Sequence, residues 1–225
     1  MEWWLLLLPV VLSIAASIGV RSAYHKYGQI RNQRGLTGAE TARRILDLNG
    51  LQHVQVEQVG GQLSDHFDPR SNVVRLSEGV YDKASIAALA VAAHECGHAV
   101  QHAKGYVPVK LRTALVPVTN LCSHLWYITF LMGLFFSQRG FGTLLITIGI
   151  LLFAGVALFQ LVTLPVEFNA SSRAMTILRE DGFLAGDEVK GAGAVLRAAA
   201  MTYVAGLLGS LMQLLRLMLI AKRRR

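Results

Sequence analysis

Ala84-Ser85-Ile86-Ala87-Ala88-Leu89-Ala90-Val91-Ala92-Ala93-His94-Glu95-Cys96-Gly97-His98 decides the reading of this chain. Its first ten residues are apolar or small, and its last five spell His-Glu-x-x-His. On a helix, positions i and i+4 share a face, so the His94 and His98 imidazoles can meet one Zn²⁺. Glu95, beside the first of them, is then placed to act as general base on water at the metal. Small residues on every side of the preceding run predict a buried helix. Two histidines and a glutamate are costly in an apolar setting unless they are paired or hold a metal. The cysteine between the histidines, Cys96, sits at i+2 from His94 and faces away from the pair. The second cysteine, Cys122, lies in an apolar segment, and no disulfide framework is expected.

Outward from the motif, the 225 residues are 53% hydrophobic and only 16% charged, a membrane composition. Residues 3–20, 113–138, 140–166 and 198–215 hold no Asp, Glu, Lys or Arg. The middle two runs are long enough to span a bilayer, which takes about 20 apolar residues. The first begins with Trp3 and Trp4, residues suited to an interface. It lacks the basic start of a signal peptide, with Glu2 its only early charge, and reads as a retained anchor.

The net charge of +8 raises the question of nucleic acid, but no basic patch interleaved with aromatics and no nucleic-acid motif is found. Residues 21–112 carry 12 of the 22 Lys and Arg, while the short loop at Ser137–Gly142 offers only Arg139. The positive-inside bias therefore places residues 21–112 in the cytoplasm and that loop outside. Residues 203–220 are apolar enough to span. Spanning would put Lys222-Arg223-Arg224-Arg225 outside, so three spans plus a membrane-associated helix are expected.

Along the cytoplasmic part, Tyr24–Arg34 reads as a polar connector. Thr37-Gly38-Ala39-Glu40 is a capping box opening a helix through Leu48, which Asn49-Gly50 ends. Val54, Val56 and Val59 approximate strand alternation, Gly60-Gly61 marks a turn, and Asn72–Ser77 is a second short strand. The resulting small sheet has an edge on which an extended peptide could be held by strand addition. The motif helix is expected from Asp82–Ser85 to Lys104-Gly105.

A catalytic zinc takes three protein ligands and an open position. Gln101 and Lys104 stand where the longer metzincin motif needs Gly and His. His102 lies one turn beyond His98, roughly 6 Å along the axis. Glu167, the first charge after the uncharged run 140–166, fits better as the third ligand. Asp65-His66-Phe67-Asp68 is a further cluster of donor residues, although Pro69 favours a turn or sheet edge there.

The motif helix, the two apolar runs and Glu167-Phe168-Asn169-Ala170-Ser171-Ser172-Arg173-Ala174 together resemble the YugP family of neutral zinc metallopeptidases. So do Ser64-Asp65-His66-Phe67-Asp68-Pro69, Val74-Arg75-Leu76-Ser77 and Ser85-Ile86-Ala87-Ala88. That family is distantly similar to the HtpX-like membrane gluzincins. The resemblance covers nearly the whole chain. It implies His94, His98 and Glu167 as zinc ligands, Glu95 as catalytic base, and a bacterial plasma membrane. HtpX-like proteins commonly carry an Asp four residues after the ligand Glu. Ser171 stands there, so a carboxylate–histidine contact from that position is in question.

The expected fold is therefore α+β and mostly helical. Multi-pass membrane helices accompany a small zincin-like metalloprotease domain made of a short β-sheet and the HExxH helix. Residues 1–20 form the anchor and 21–112 the zincin-like part with the motif helix. The two-span hairpin covers 113–166, the helical part with the third ligand 167–202, and the apolar helix with its basic tail 203–225. The expected activity is hydrolysis of peptide bonds near the cytoplasmic membrane face, in peptides or membrane proteins. The alternative is a non-catalytic membrane scaffold or adaptor, with a structural zinc or no metal.

Overall fold

The computed structural model describes residues 3–136 and 140–223. Glu2, Arg139 and the terminal Arg224 and Arg225, on which the expected orientation partly leans, lie outside the described residues. The described chain forms α1 (Trp4–Gly28), α2 (Gly38–Leu48), β1 (Gln55–Val59), β2 (His66–Asp68), β3 (Val73–Ser77), α3 (Ile86–Ala103), α4 (Val107–Phe135), α5 (Gly140–Glu180) and α6 (Asp187–Lys222). It divides into two compact units.

One unit comprises Met1–Ala15, Val107–Pro165 and Thr202–Arg225. Within it, Phe130 of α4, Ile146 and Phe153 of α5 and Leu217 of α6 form a buried cluster. Glycine lets α4 and α5 approach closely: a Cβ on Gly133 would lie 2.6 Å from the Ile146 nitrogen, and one on Gly149 2.9 Å from Phe130. Small residues at such crossings are how apolar helices pack when lipid offers no hydrophobic contrast. Leu121, Leu131, Leu151 and Leu161 are exposed. Four helices, α1, α4, α5 and α6, are long and apolar enough to cross a membrane by length and composition. Exposed leucines around such helices are at home in lipid and not in water.

The other unit comprises Ala16–Tyr106 and Val166–Met201. Thr37 caps α2 as anticipated: its hydroxyl accepts from the Glu40 N–H at 3.2 Å, and the Glu40 carboxylate accepts from the Thr37 N–H at 2.9 Å. The strands run in the order β1-β3-β2, with β1 parallel and β2 antiparallel to β3. Gln55 pairs with Val73 and Val59 with Ser77, while Phe67 of β2 pairs with Val74. β3 is the central strand, and Val73, Val74, Leu76 and Ser77 are all buried. α3 is apolar on nearly every side, and most of its residues are buried among Ile45, Leu46, Leu76, Leu178 and Leu196.

One boundary differs from the sequence reading. α1 continues through the expected connector to Gly28, because Tyr24 and Tyr27 pack on the unit's core and extend the helix past its charged start. Asp65–Pro69 holds β2, which pairs with β3 at the edge of the sheet, as expected for that stretch. α5 runs without a break through Pro165 to Glu180.

Candidate metal centre

Ser85 caps α3, its hydroxyl accepting from the Ala88 N–H at 3.1 Å, and the helix carries His94, Glu95 and His98 about two and a half to three and a half turns further on. The 3.6-residue repeat stacks the two imidazoles, whose ring centroids lie 4.7 Å apart and nearly perpendicular. Facing them is Glu167 of α5, 2% exposed. Its Oε2 lies 3.3 Å from His94 Nε2 and 3.4 Å from His98 Nε2. One ligand atom from each of the three residues falls within 4.8 Å of the others, the one such group of His, Cys, Asp and Glu among the described residues.

α3 and α5 can approach this closely because position 97 has no side chain. A Cβ there would stand 2.8 Å from the Ala170 carbonyl oxygen. Gly97 lies between the two histidines and Ala170 one turn after Glu167, so the glycine sets the separation of the facing side chains. Both Nδ1 atoms are engaged on the far side of the rings: Ser171 Oγ is 3.2 Å from His94 Nδ1, and Gln101 Oε1 is 3.0 Å from His98 Nδ1. The two Nε2 atoms and a carboxylate oxygen thus converge. Two imidazoles and one carboxylate are a donor set that suits zinc, and their spacing fits one ion. Burial alone would lower the pKa of His98. The hydrogen bond and charge of Glu167, with the charge of Glu95, outweigh it and hold the imidazole above its ordinary value.

Glu95 is buried beside this cluster, and its Oε2 accepts from the Phe67 N–H of β2 at 3.1 Å. β2 has β3 on one side only, so the edge strand delivers a main-chain donor to the carboxylate. Cys96 turns the other way, buried, with its thiol donating to the Ala42 carbonyl of α2 at 3.6 Å. Burial pushes that thiol's pKa up, as in an inert core cysteine.

The Asp65–Asp68 cluster does not converge on a common point. Asp65 accepts from the Ser77 N–H at 2.7 Å and the Ser77 hydroxyl at 3.0 Å, tying the entry of β2 to the end of β3. His66 is exposed and its Nδ1 lies 2.8 Å from the Ser64 carbonyl. Asp68 accepts from the Ser71 hydroxyl, the Arg70 N–H and Arg75, which hold its carboxyl well below the usual range. His102 is exposed, with its ring 5.9 Å from that of Phe67. From the sequence, Gln101 and Phe67 have no expected part in the site, and Ser171 counts only as standing where HtpX-like proteins carry an Asp; its hydroxyl, not a carboxylate, meets His94. Gln101 and Ser171 carry a signal in retrospect: Gln101 follows His98 by three residues and Ser171 follows Glu167 by four, each one turn on. Phe67 carries none, because its main chain makes the contact.

Residues 2–222 match the family described as "Putative neutral zinc metallopeptidase". The chain is also 50% identical over 209 residues to the "Putative membrane protease YugP" of Bacillus subtilis (strain 168), a match spanning 93% of this chain and 91% of that protein. No solved structure shows a significant match. With two histidines and a glutamate gathered within reach of one ion, and a family match over almost its whole length, this chain belongs to the neutral zinc metallopeptidases.

Proposed function

We propose that this protein is a zinc-dependent membrane endopeptidase of the gluzincin type, with a zincin-like part that works at the cytoplasmic membrane face. His94, His98 and Glu167 are its metal ligands and Glu95 its general base. The observation that carries this reading is the convergence of His94 Nε2, His98 Nε2 and Glu167 Oε2. When bound, zinc supplies Lewis acidity, lowering the pKa of water and polarising the scissile carbonyl.

The remaining work falls to the chain's own residues. Glu95 takes a proton from the attacking water and returns it to the leaving amine. The Phe67 N–H holds one oxygen of that carboxylate, limiting its rotation so that the other can meet the water. The edge of β2 beside Glu95 offers an extended substrate a strand to lie along. The concentration of Lys and Arg in residues 21–112 supports the cytoplasmic side. Glu167 directly follows the uncharged run 140–166, which supports action near the bilayer surface on loops or juxtamembrane segments of membrane proteins.

The test is zinc content and cleavage of casein or a tethered peptide by detergent-purified wild type, Glu167→Ala and Glu95→Gln. The expected result is about one zinc per chain with cleavage in wild type. Glu167→Ala should lose zinc, and Glu95→Gln should keep zinc and lose hydrolysis. Cleavage that survives Glu95→Gln rejects the general base. Wild type without zinc turns the reading toward an adaptor.

A further inference from the structure

Gln101 is fully buried in α3, one turn beyond His98, and every polar atom of its side chain is used. Its Nε2 donates to the Val166 carbonyl at 2.8 Å and to Asn169 Oδ1 at 3.0 Å. Its Oε1 faces His98 Nδ1 at 3.0 Å. Asn169 Oδ1 also accepts from Arg173 Nε at 2.7 Å.

The polarity of this chain of bonds cannot be reversed. A guanidinium only donates, so the Asn169 atom beside Arg173 is the amide oxygen. A main-chain carbonyl only accepts, so the Gln101 atom beside Val166 is the amide nitrogen. The opposite end of the Gln101 amide is therefore its oxygen, which only accepts, and His98 Nδ1 must carry the proton. A neutral His98 then has its lone pair on Nε2, the atom that faces Glu167. His94 is held differently. Its Nδ1 meets the Ser171 hydroxyl, which can donate or accept and so imposes no tautomer.

We infer that Gln101 is a positioning residue for the metal centre. It locks His98 in the tautomer whose Nε2 can bind a cation, and ties that ring to α5 at Val166, the residue before Glu167. One amide thus sets both the protonation pattern of one ligand and its distance from the next, before any ion arrives. The inference rests on the reading of His98 as a ligand.

The test uses the full chain in detergent, stripped of metal, with wild type, Gln101→Leu, Gln101→Glu and His98→Ala. Zinc affinity is read by competition with a fluorescent chelator. The His98 tautomer is read from ¹⁵N imidazole shifts at a pH where the ring is neutral. Wild type should show His98 as a single Nδ1–H form, while His94 is a mixture. Gln101→Leu should turn His98 into a mixture and weaken zinc about 10–100-fold, the usual size of an outer-sphere effect. Gln101→Glu, whose carboxylate also only accepts, should keep the single tautomer although it cannot donate to Val166. It stands as the decisive variant if Gln101→Leu does not fold.

A mixed His98 tautomer in wild type or in Gln101→Glu overturns the inference. So does Gln101→Leu with wild-type affinity, or with weakened affinity and an unchanged tautomer. Zinc binding indifferent to His98→Ala overturns instead the ligand reading beneath it. Zinc lost in His98→Ala but untouched by Gln101→Leu overturns this inference alone.

Discussion

At the scale of single residues, carboxylates of similar appearance in the sequence do different work. Glu167 is buried against two imidazoles, while Asp65 and Asp68 spend their oxygens on local main chain, hydroxyl and guanidinium donors. The consequence for Asp65 is measurable. Replacing it with Ala strips the acceptor from the Ser77 N–H, in a strand end that is otherwise buried. Such a loss costs about 1–3 kcal/mol. Asp65→Ala should therefore lower the thermal unfolding midpoint in detergent while leaving zinc stoichiometry as in wild type. Loss of zinc with unchanged stability would instead assign Asp65 to the metal centre. Asp68 shows the same division of labour, its depressed pKa marking a turn that favours the ionised carboxylate.

At the scale of elements, the contact of α3 with α5 matters most, and a missing side chain governs it. A larger residue at position 97 would push against the Ala170 carbonyl, which belongs to a helix backbone and cannot rotate aside. Gly97→Val should destabilise the protein by roughly 1–3 kcal/mol, the usual cost of overpacking. It should also weaken zinc, since it forces His94 and His98 away from Glu167. Calorimetry with and without zinc separates the two effects. A Gly97→Val protein of lower stability but unchanged zinc affinity would show that the helix spacing does not control the cluster.

At the scale of the whole molecule, the proposed ligand set would have metal and protons compete for the same atoms. Without metal, the raised pKa of His98 means that its pairing with Glu167 stabilises the fold fully below the ordinary imidazole pKa. That contribution fades as pH rises through the folded value. Zinc needs the ring deprotonated, so its stabilisation grows over the same interval. Both effects have one sign: the gap in unfolding midpoint between zinc-loaded and chelated protein should widen as pH rises across about 5 to 8. Thermal scans in detergent with zinc or chelator check this. A gap independent of pH would remove His98 from the metal centre.

Much of this protein follows from local pattern. The Thr37–Glu40 capping box starts α2 because its bonds close within four residues. Long uncharged runs become helices because an apolar segment in lipid must satisfy its own main chain. His94 and His98 share a face through helix periodicity alone. Tertiary structure decided what pairing over long separations decides. It brought Glu167 to within 3.4 Å of both histidines across more than 60 residues of chain, and placed Gln101 against Val166 and Asn169. It also turned the Phe67 N–H toward Glu95. Such contacts depend on helix spacing and strand order, which no local pattern in the chain specifies. Gly97 shows why: its role is the room it leaves, which has meaning only once the carbonyl of Ala170 stands opposite.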